Sequence, residues 1–158
     1  MFKEMDLPIQ GGSVMDIRVF EPSDIKDAVK LANLYASFDS EVSEVDFQPA
    51  WSFPEGFLIA DICGQVVGFI FAYLRDVPSE VLHRWHASKV AQIELLVVHP
   101  SFRDRDIGDR LLRRLLDTLK DESVDIVLLH CPTQSIEAKN LYDKYGFEVR
   151  AYAMKKRL

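Results

Sequence analysis

The segment VVHPSFRDRDIGDRLL (97–112) carries the most chemistry in this 158-residue chain: an apolar run breaks at Pro100, and a charged loop then leads into an amphipathic stretch. A junction of this kind gathers unpaired backbone N–H groups and the positive end of a helix dipole at one spot, which suits phosphate. Arg103 and Arg105 lie in the same loop, and guanidiniums beside such a nest are natural phosphate partners. Upstream, Glu94 is a carboxylate inside an otherwise apolar run. Burial there would raise its pKa toward the range of a general base; the plainer role is to face a cleft or pair with an arginine. His99 and His130 stand at the ends of two apolar runs, placed either to relay protons or to serve as hydrogen-bonded structural residues.

Other chemistries find no residues to perform them. His83 and His86 have the spacing of a metal pair but no third ligand, and Cys63 and Cys131 stand far apart with no CxxC pattern. No metal site and no disulfide framework is expected, and both cysteines read as reduced and packed. There is no Gly-x-Ser-x-Gly and no Walker loop, so serine-hydrolase and NTPase readings have nothing to stand on.

The elements that must position these groups follow from hydrophobic periodicity. Residues 15–20 read as a strand, Pro22-Ser23-Asp24 as turn and cap, and 25–38 as a helix with Ile25, Val29, Leu31 and Leu34 apolar. Residues 39–56 read as irregular. The runs 57–63 and 66–74, separated by a tight turn with Gly64, read as a hairpin. Residues 75–88 read as a loop. Val90–Val98 is nearly all apolar apart from Gln92 and Glu94, as in a strand buried on both faces. From Ile107, the residues Leu111, Leu112, Leu115, Leu116 and Leu119 form one helical stripe opposite Arg110, Arg113, Arg114 and Asp117. A second buried strand is expected over 125–130, a helix over 135–145 stopped by Gly146, and a last strand or hairpin over 147–157. The order is that of an α/β domain with a parallel strand pair.

Composition agrees with one compact domain: 48% apolar, 11% aromatic and 28% charged residues describe a globular chain, not a disordered one. Residues 1–14 read as an N-terminal extension and 15–158 as the domain. A net charge of −6 supplies no positive field for nucleic acid or anionic lipid and suits a cationic partner such as an amine. The apolar runs fall far short of the ~20 residues that cross a bilayer, and the first residues lack a signal-peptide core. A cytoplasmic location is expected.

Residues 93–112, followed by AKNLYDKYGF (138–147), resemble the acetyl-CoA-binding core of the GNAT-superfamily N-acetyltransferases. In that family a strand ending in Val-x-Pro leads into Arg/Gln-x-x-Gly-x-Gly/Ala at a helix start. Asn-x-x-Ala-x-x-Leu-Tyr-x-x-x-Gly-Phe follows later. The segment IRVFEPSDIKDAVKLANLY is similar to the family's first strand and helix, so the resemblance covers about residues 15–157.

The resemblance implies a mixed, mostly antiparallel sheet with a splayed parallel strand pair and helices on both faces. It implies a pyrophosphate loop comprising Arg103, Asp104, Arg105, Asp106, Ile107, Gly108 and Asp109, with Ser135 also near the cosubstrate, and pairing of a pantetheine arm with the backbone of Leu96, Val97 and Val98. It makes Glu94 the proton acceptor for the amine, acting directly or through water, Tyr142 the acid for the departing thiolate, and a backbone N–H near Leu96 the oxyanion donor. The implied function is acetyl transfer from acetyl-CoA, with no metal, to a primary amine of a small molecule or peptide, in a protein of a type that is frequently dimeric. The alternative is a non-catalytic acyl-CoA-binding module.

Two positions depart from the family pattern. Asp106 stands where the first glycine is usual, and Ser135 where asparagine is frequent. A carboxylate ~5 Å from a pyrophosphate would cost roughly 3 kcal/mol at an effective dielectric of 20; Asp106 is therefore expected to cap the helix with its side chain turned away.

Overall fold

The structure, a computed structural model, describes residues 14–36 and 40–158. The expected extension lies almost wholly outside the described residues, as does the far end of the first expected helix. Five strands form one sheet in the order β1-β2-β3-β4-β5: β1 Met15–Val19, β2 Phe57–Ile62, β3 Gln65–Arg75, β4 Val90–Val98 and β5 Ile126–Leu129. The first four pair antiparallel and β4 pairs with β5 in parallel. The helices are α1 Asp24–Tyr35, α2 Ser79–Trp85, α3 Ile107–Asp121 and α4 Ile136–Lys144.

Alternation along the strands divides the core between the two faces of the sheet. On one face Ile17, Leu58, Ala60, Ile70, Ala72, Ala91 and Ile93 pack against the α3 residues Ile107, Leu111, Leu112, Leu115 and Leu119. On the other, Ile59, Phe57, Phe69, Phe71, Leu95 and Val97 pack against Ile25, Ala28, Leu31 and Ala32 of α1. Each large side chain so buried contributes about 2 kcal/mol, so the α3 stripe anchors the loop at its own N-terminus. The α1 stripe runs through Ala28 and Ala32, while Leu34, expected to be apolar and inward, is exposed.

The β2–β3 hairpin turns on Cys63 and Gly64, both at positive φ (53° and 80°), the backbone that a two-residue hairpin turn requires. Cys63 is exposed there, which corrects the expectation that both cysteines are packed. Residues 44–56, expected to be irregular, form 3₁₀ turns that place Phe47 and Ala50 in the core.

Two further elements differ from expectation. Residues 75–88 contain a helix, α2, that ends with His86 in the left-handed region; Ala87 N–H bonds to Leu82 O and His86 N–H to His83 O. That is the closure a glycine usually makes, and with histidine in its place the stop signal is hidden. Residues 147–158 form no strand, so the parallel pair ends the sheet at β5. The α4 terminus follows expectation: Gly146 takes φ +82°, and Phe147 N–H reaches Tyr142 O.

A buried ion pair locks the start of the fold. Asp24 (6% exposed) accepts from both terminal nitrogens of Arg18, at 2.7 and 3.0 Å, and from the Glu21 N–H; Arg18 also reaches Asp61. Burial pushes the Asp24 carboxyl up, but the Arg18 and Glu21 hydrogen bonds more than offset it, and the group lies below its ordinary value.

Candidate acetyl-transfer site

β4 and β5 pair only through Ile93 and Leu129, and beyond that point they part. The cause lies in β4 itself. Its register with β3 runs Ala72↔Ile93, then Phe71↔Leu95, so Glu94 is an extra residue without a partner. A bulge of this kind kinks a strand and reverses its in-out alternation. Leu96 and Val98 accordingly turn to the α3 side, while Leu95 and Val97 turn to the α1 side. Backbone groups alternate along an antiparallel ladder, and His99 N–H bonds to Val67 O of β3, so Val97 also turns its N–H and C=O to β3, opposite Phe69, while Leu96 and Val98 turn theirs to the edge that β5 has left; the expected pairing of a pantetheine arm with Val97 is thus confined to its two neighbours, where an amide-bearing chain could pair as a strand does.

Glu94 is exposed, not buried as β4's apolar context predicted; the bulge lifts it out of the packed surface, and the argument from burial falls away. It lies close enough to Tyr73, a residue packed against the α1-side core, for its charge to act on that hydroxyl. Tyr142 belongs to the opposite, α3-side core and is 8% exposed. Burial pushes its hydroxyl up to about 12, so the proton is retained at neutral pH, and no protein acceptor among the described residues takes it. Phe147 meets its ring edge-on at 5.6 Å. Glu94 and Tyr142 are thus associated with opposite faces of the sheet.

The loop after β4 is strongly bent. Pro100–Phe102 forms a 3₁₀ turn, and Phe102 is buried. Asp104 and Asp106 take φ +60° and +58°. Arg103 extends its Nε toward Val98 O at 3.4 Å, and the Arg105 guanidinium lies 5.3 Å from the Phe102 ring centroid. Asp106 occupies the N-cap position, but its carboxylate makes no capping hydrogen bond, which corrects half of the expectation. Its left-handed backbone explains why a glycine serves best there: glycine takes φ > 0 without a Cβ penalty, and aspartate is among the few residues that tolerate it. Ile107 is buried and Gly108 half-buried. A Cβ on Gly108 would meet only Leu141 and Val98, at 3.7 and 3.9 Å, so packing does not demand a glycine there.

Asp109 is committed to the fold. Lys144 Nζ donates to it at 2.6 Å and Tyr145 Oη at 3.0 Å, joining α4 to the first turn of α3. The Lys144 hydrogen bond holds the Asp109 carboxyl below its ordinary value. Ser135 is the N-cap residue of α4, makes no side-chain cap, and accepts at its carbonyl from Lys139 N–H.

The histidines divide by role. Nδ1 of His99 accepts from Ser101 N–H at 3.1 Å, and its Nε2 lies 3.4 Å from the Tyr35 hydroxyl. Burial and then the Arg103 charge lower its pKa, so it is a neutral structural residue. His130 is exposed, with Nδ1 3.3 Å from Gln92 Nε2. Gln92 is 6% exposed and its Oε1 accepts from Arg75 at 3.0 Å. Arg75 and Tyr73 escaped the sequence analysis. Their one signal was Gln92, an amide in an apolar run. His83 lies in α2 and His86 caps it; among the described residues no three His, Cys, Asp or Glu side chains form a group that could hold a metal.

Comparison with known proteins bears on the family and the fold. The chain belongs to the acetyltransferase (GNAT) family, which it matches over residues 25–147. It is 27% identical over 154 residues to a mycothiol acetyltransferase of Acidimicrobium ferrooxidans; the match covers 92% of this chain but 47% of that protein, so the chain spans about half its length. Its fold resembles that of Ard1 from Thermoplasma volcanium, with a TM-score of 0.72, 27% identity and coverage of 87% of this chain and 84% of the other. Arabidopsis thaliana Naa50, solved with the bisubstrate analogue CoA-Ac-MVNAL, shares the fold with a TM-score of 0.70, 21% identity and coverage of 87% and 85%. No helix among the described residues is long and apolar enough to cross a membrane.

Proposed function

We propose that the protein transfers an acetyl group from acetyl-CoA to a primary amine by direct attack in a ternary complex. The observation that carries this reading is the parting of β4 from β5 at the Glu94 bulge.

The pyrophosphate would lie against the loop from Arg103 to Asp109, held by the backbone N–H groups that open α3 and by Arg103 and Arg105. The pantetheine arm would pair with the backbone of Leu96 and Val98, on either side of Val97. The amine nitrogen attacks the thioester carbon, its proton passes to Glu94, through water given that side chain's exposure, and a backbone N–H near Leu96 stabilises the oxyanion. The C–S bond then breaks, and Tyr142 protonates the leaving thiolate. Asp109, neutralised by Lys144, adds little repulsion to the phosphates.

The test is single-turnover release of CoA thiol with a panel of amines, for wild type, Glu94→Gln and Tyr142→Phe. A positioned proton donor or acceptor contributes ~100 to 10,000-fold, so both variants should be slowed while still binding CoA. Wild-type rates in both would remove these roles. CoA binding without acetylation of any amine would favour the non-catalytic module.

A further inference from the structure

Gln92 is an amide, 6% exposed, in the middle of an apolar strand, where it costs stability unless its polar atoms find partners. Two side chains meet it. Arg75 donates to its Oε1 at 3.0 Å, and its Nε2 lies 3.3 Å from Nδ1 of His130. A guanidinium has donors only, so Oε1 is the atom that turns to Arg75, and the NH2 group is left for His130. That group offers no lone pair, so Nδ1 must accept, and in the neutral ring the proton then sits on Nε2. Turning the amide over would set a donor against the arginine. Arg75 on β3 thus fixes, through a side chain of β4, the tautomer of the histidine that follows β5.

The histidine so fixed stands where the strands part. β4 and β5 pair from Val90↔Ile126 to Ile93↔Leu129, so Glu94 and His130 are the first residues beyond the last pair, one on each strand, and both are exposed. They belong to the same side of the sheet. Gln92 opposes Tyr73, which packs against the α1-side core, while Ala91 and Ile93 on either side of Gln92 turn to α3. His130 bonds to Gln92, and the Glu94 charge acts on Tyr73. By residue type either Glu94 or His130 could take the proton of an amine; the hydrogen bonds choose between them. Nδ1 of His130 is occupied by Gln92, and Nε2 already carries a proton, so the neutral ring has no free lone pair to turn to the parting.

We propose that His130 is a neutral hydrogen-bond donor at the parting, presenting Nε2–H to an oxygen atom there, that Gln92 and Arg75 are the positioning residues that fix this tautomer, and that Glu94 alone accepts the amine's proton. The inference rests on the acetyltransferase reading and divides the work on the α1 side of that site. The proton passes from the amine nitrogen through water to the Glu94 carboxylate, and none passes to the imidazole.

Long-range proton–nitrogen correlation spectra of the ligand-free protein at about pH 8.5, where imidazoles are neutral, read the tautomer, and the spectrum of His130→Gln identifies the ring among the four histidines. Nδ1 of His130 should resonate well downfield of Nε2. Gln92→Glu should invert the order, because a carboxylate accepts from Nδ1–H; Arg75→Met, at an exposed position, should let both tautomers appear, because nothing then holds Oε1. A wild-type ring protonated on Nδ1, or a tautomer that neither substitution changes, overturns the inference. Rates of acetyl transfer test the role. His130→Phe should lower kcat roughly tenfold, the loss of one hydrogen bond, with KM for acetyl-CoA unchanged. His130→Gln, whose amide N–H reaches about as far as Nε2 but takes no proton, should recover most of that loss. A fall of ~100-fold or more in both variants is that of a general base and overturns the inference, as do wild-type rates in both. If no amine is acetylated, the acetyltransferase reading fails, and the spectra alone decide this one by the same outcomes.

Discussion

Substituting Asp106 separates two properties that share one residue, a negative charge beside the proposed phosphate loop and a left-handed backbone. Asp106→Asn removes the charge and keeps a side chain that tolerates φ > 0. The carboxylate is exposed, so its repulsion of a bound pyrophosphate is screened: two charges ~8 Å away at the dielectric of water give about 1 kcal/mol in total. CoA affinity should therefore rise no more than about fivefold at low salt, and less at high salt. Asp106→Gly and Asp106→Ala then isolate the backbone. At φ +58° alanine is strained by about 1 kcal/mol relative to glycine, which for a domain of this size separates their melting temperatures by roughly 3 °C. Calorimetric titration with CoA at two salt concentrations and thermal melts of the three variants read both effects. A hundredfold, salt-sensitive gain in the Asn variant would mean that the carboxylate points at the phosphates. An alanine variant as stable as the glycine variant would mean that the loop does not hold residue 106 in the left-handed region.

CoA at 100 times its dissociation constant should add ~2.7 kcal/mol of stability, seen as a rise in melting temperature that Arg103→Ala or Arg105→Ala shrinks; no rise with millimolar CoA would sink the coenzyme site. Tyr142 has its folded pKa raised to about 12 from an ordinary 10 by burial, so its contribution is complete below pH 10 and is lost as pH climbs toward 12. Tyr142→Phe should flatten the alkaline fall in melting temperature, and an unchanged alkaline limb would contradict the burial of that hydroxyl. Asp24 titrates below its ordinary value of 3.8, so its contribution is full above about that pH and fades as acid takes the solution through the lower folded value. Asp24→Asn should cost roughly 2–3 kcal/mol at neutral pH, leaving Arg18 partly buried without its carboxylate, and should reduce acid sensitivity; urea melts at pH 7 and pH 3 check both.

Much of this was legible in the chain. Hydrophobic spacing places α3, because five inward leucine and isoleucine positions at helical intervals admit one stripe. The hairpin at Gly64 and the stop at Gly146 are legible because both turns use a backbone conformation that few residues other than glycine adopt. The loop from Arg103 to Asp109 and the Leu-Tyr pair could be read as motifs. The helix α2 could not, since it buries no side chain and ends on His86 instead of glycine; it has neither stripe nor punctuation. Asp106 showed as a departure, but its φ, the physical reason for the usual glycine, did not.

The linear order of residues alone determined which face of α3 is apolar, where the chain turns, and that a helix start follows Pro100 after a short charged loop. Local physics suffices there, since periodicity and backbone preference act over a few residues. Only the tertiary structure decided that Glu94 is the unpaired residue of a bulge and hence exposed, because a register between two strands is a property of the pair and appears in neither sequence. It alone placed Lys144 on Asp109 and linked Arg75 through Gln92 to His130, contacts between elements 17 to 38 residues apart in the chain. It also set Arg150 over Trp85. Long-range electrostatics of this kind depends on folded distances, and those are fixed by how the helices pack on the sheet.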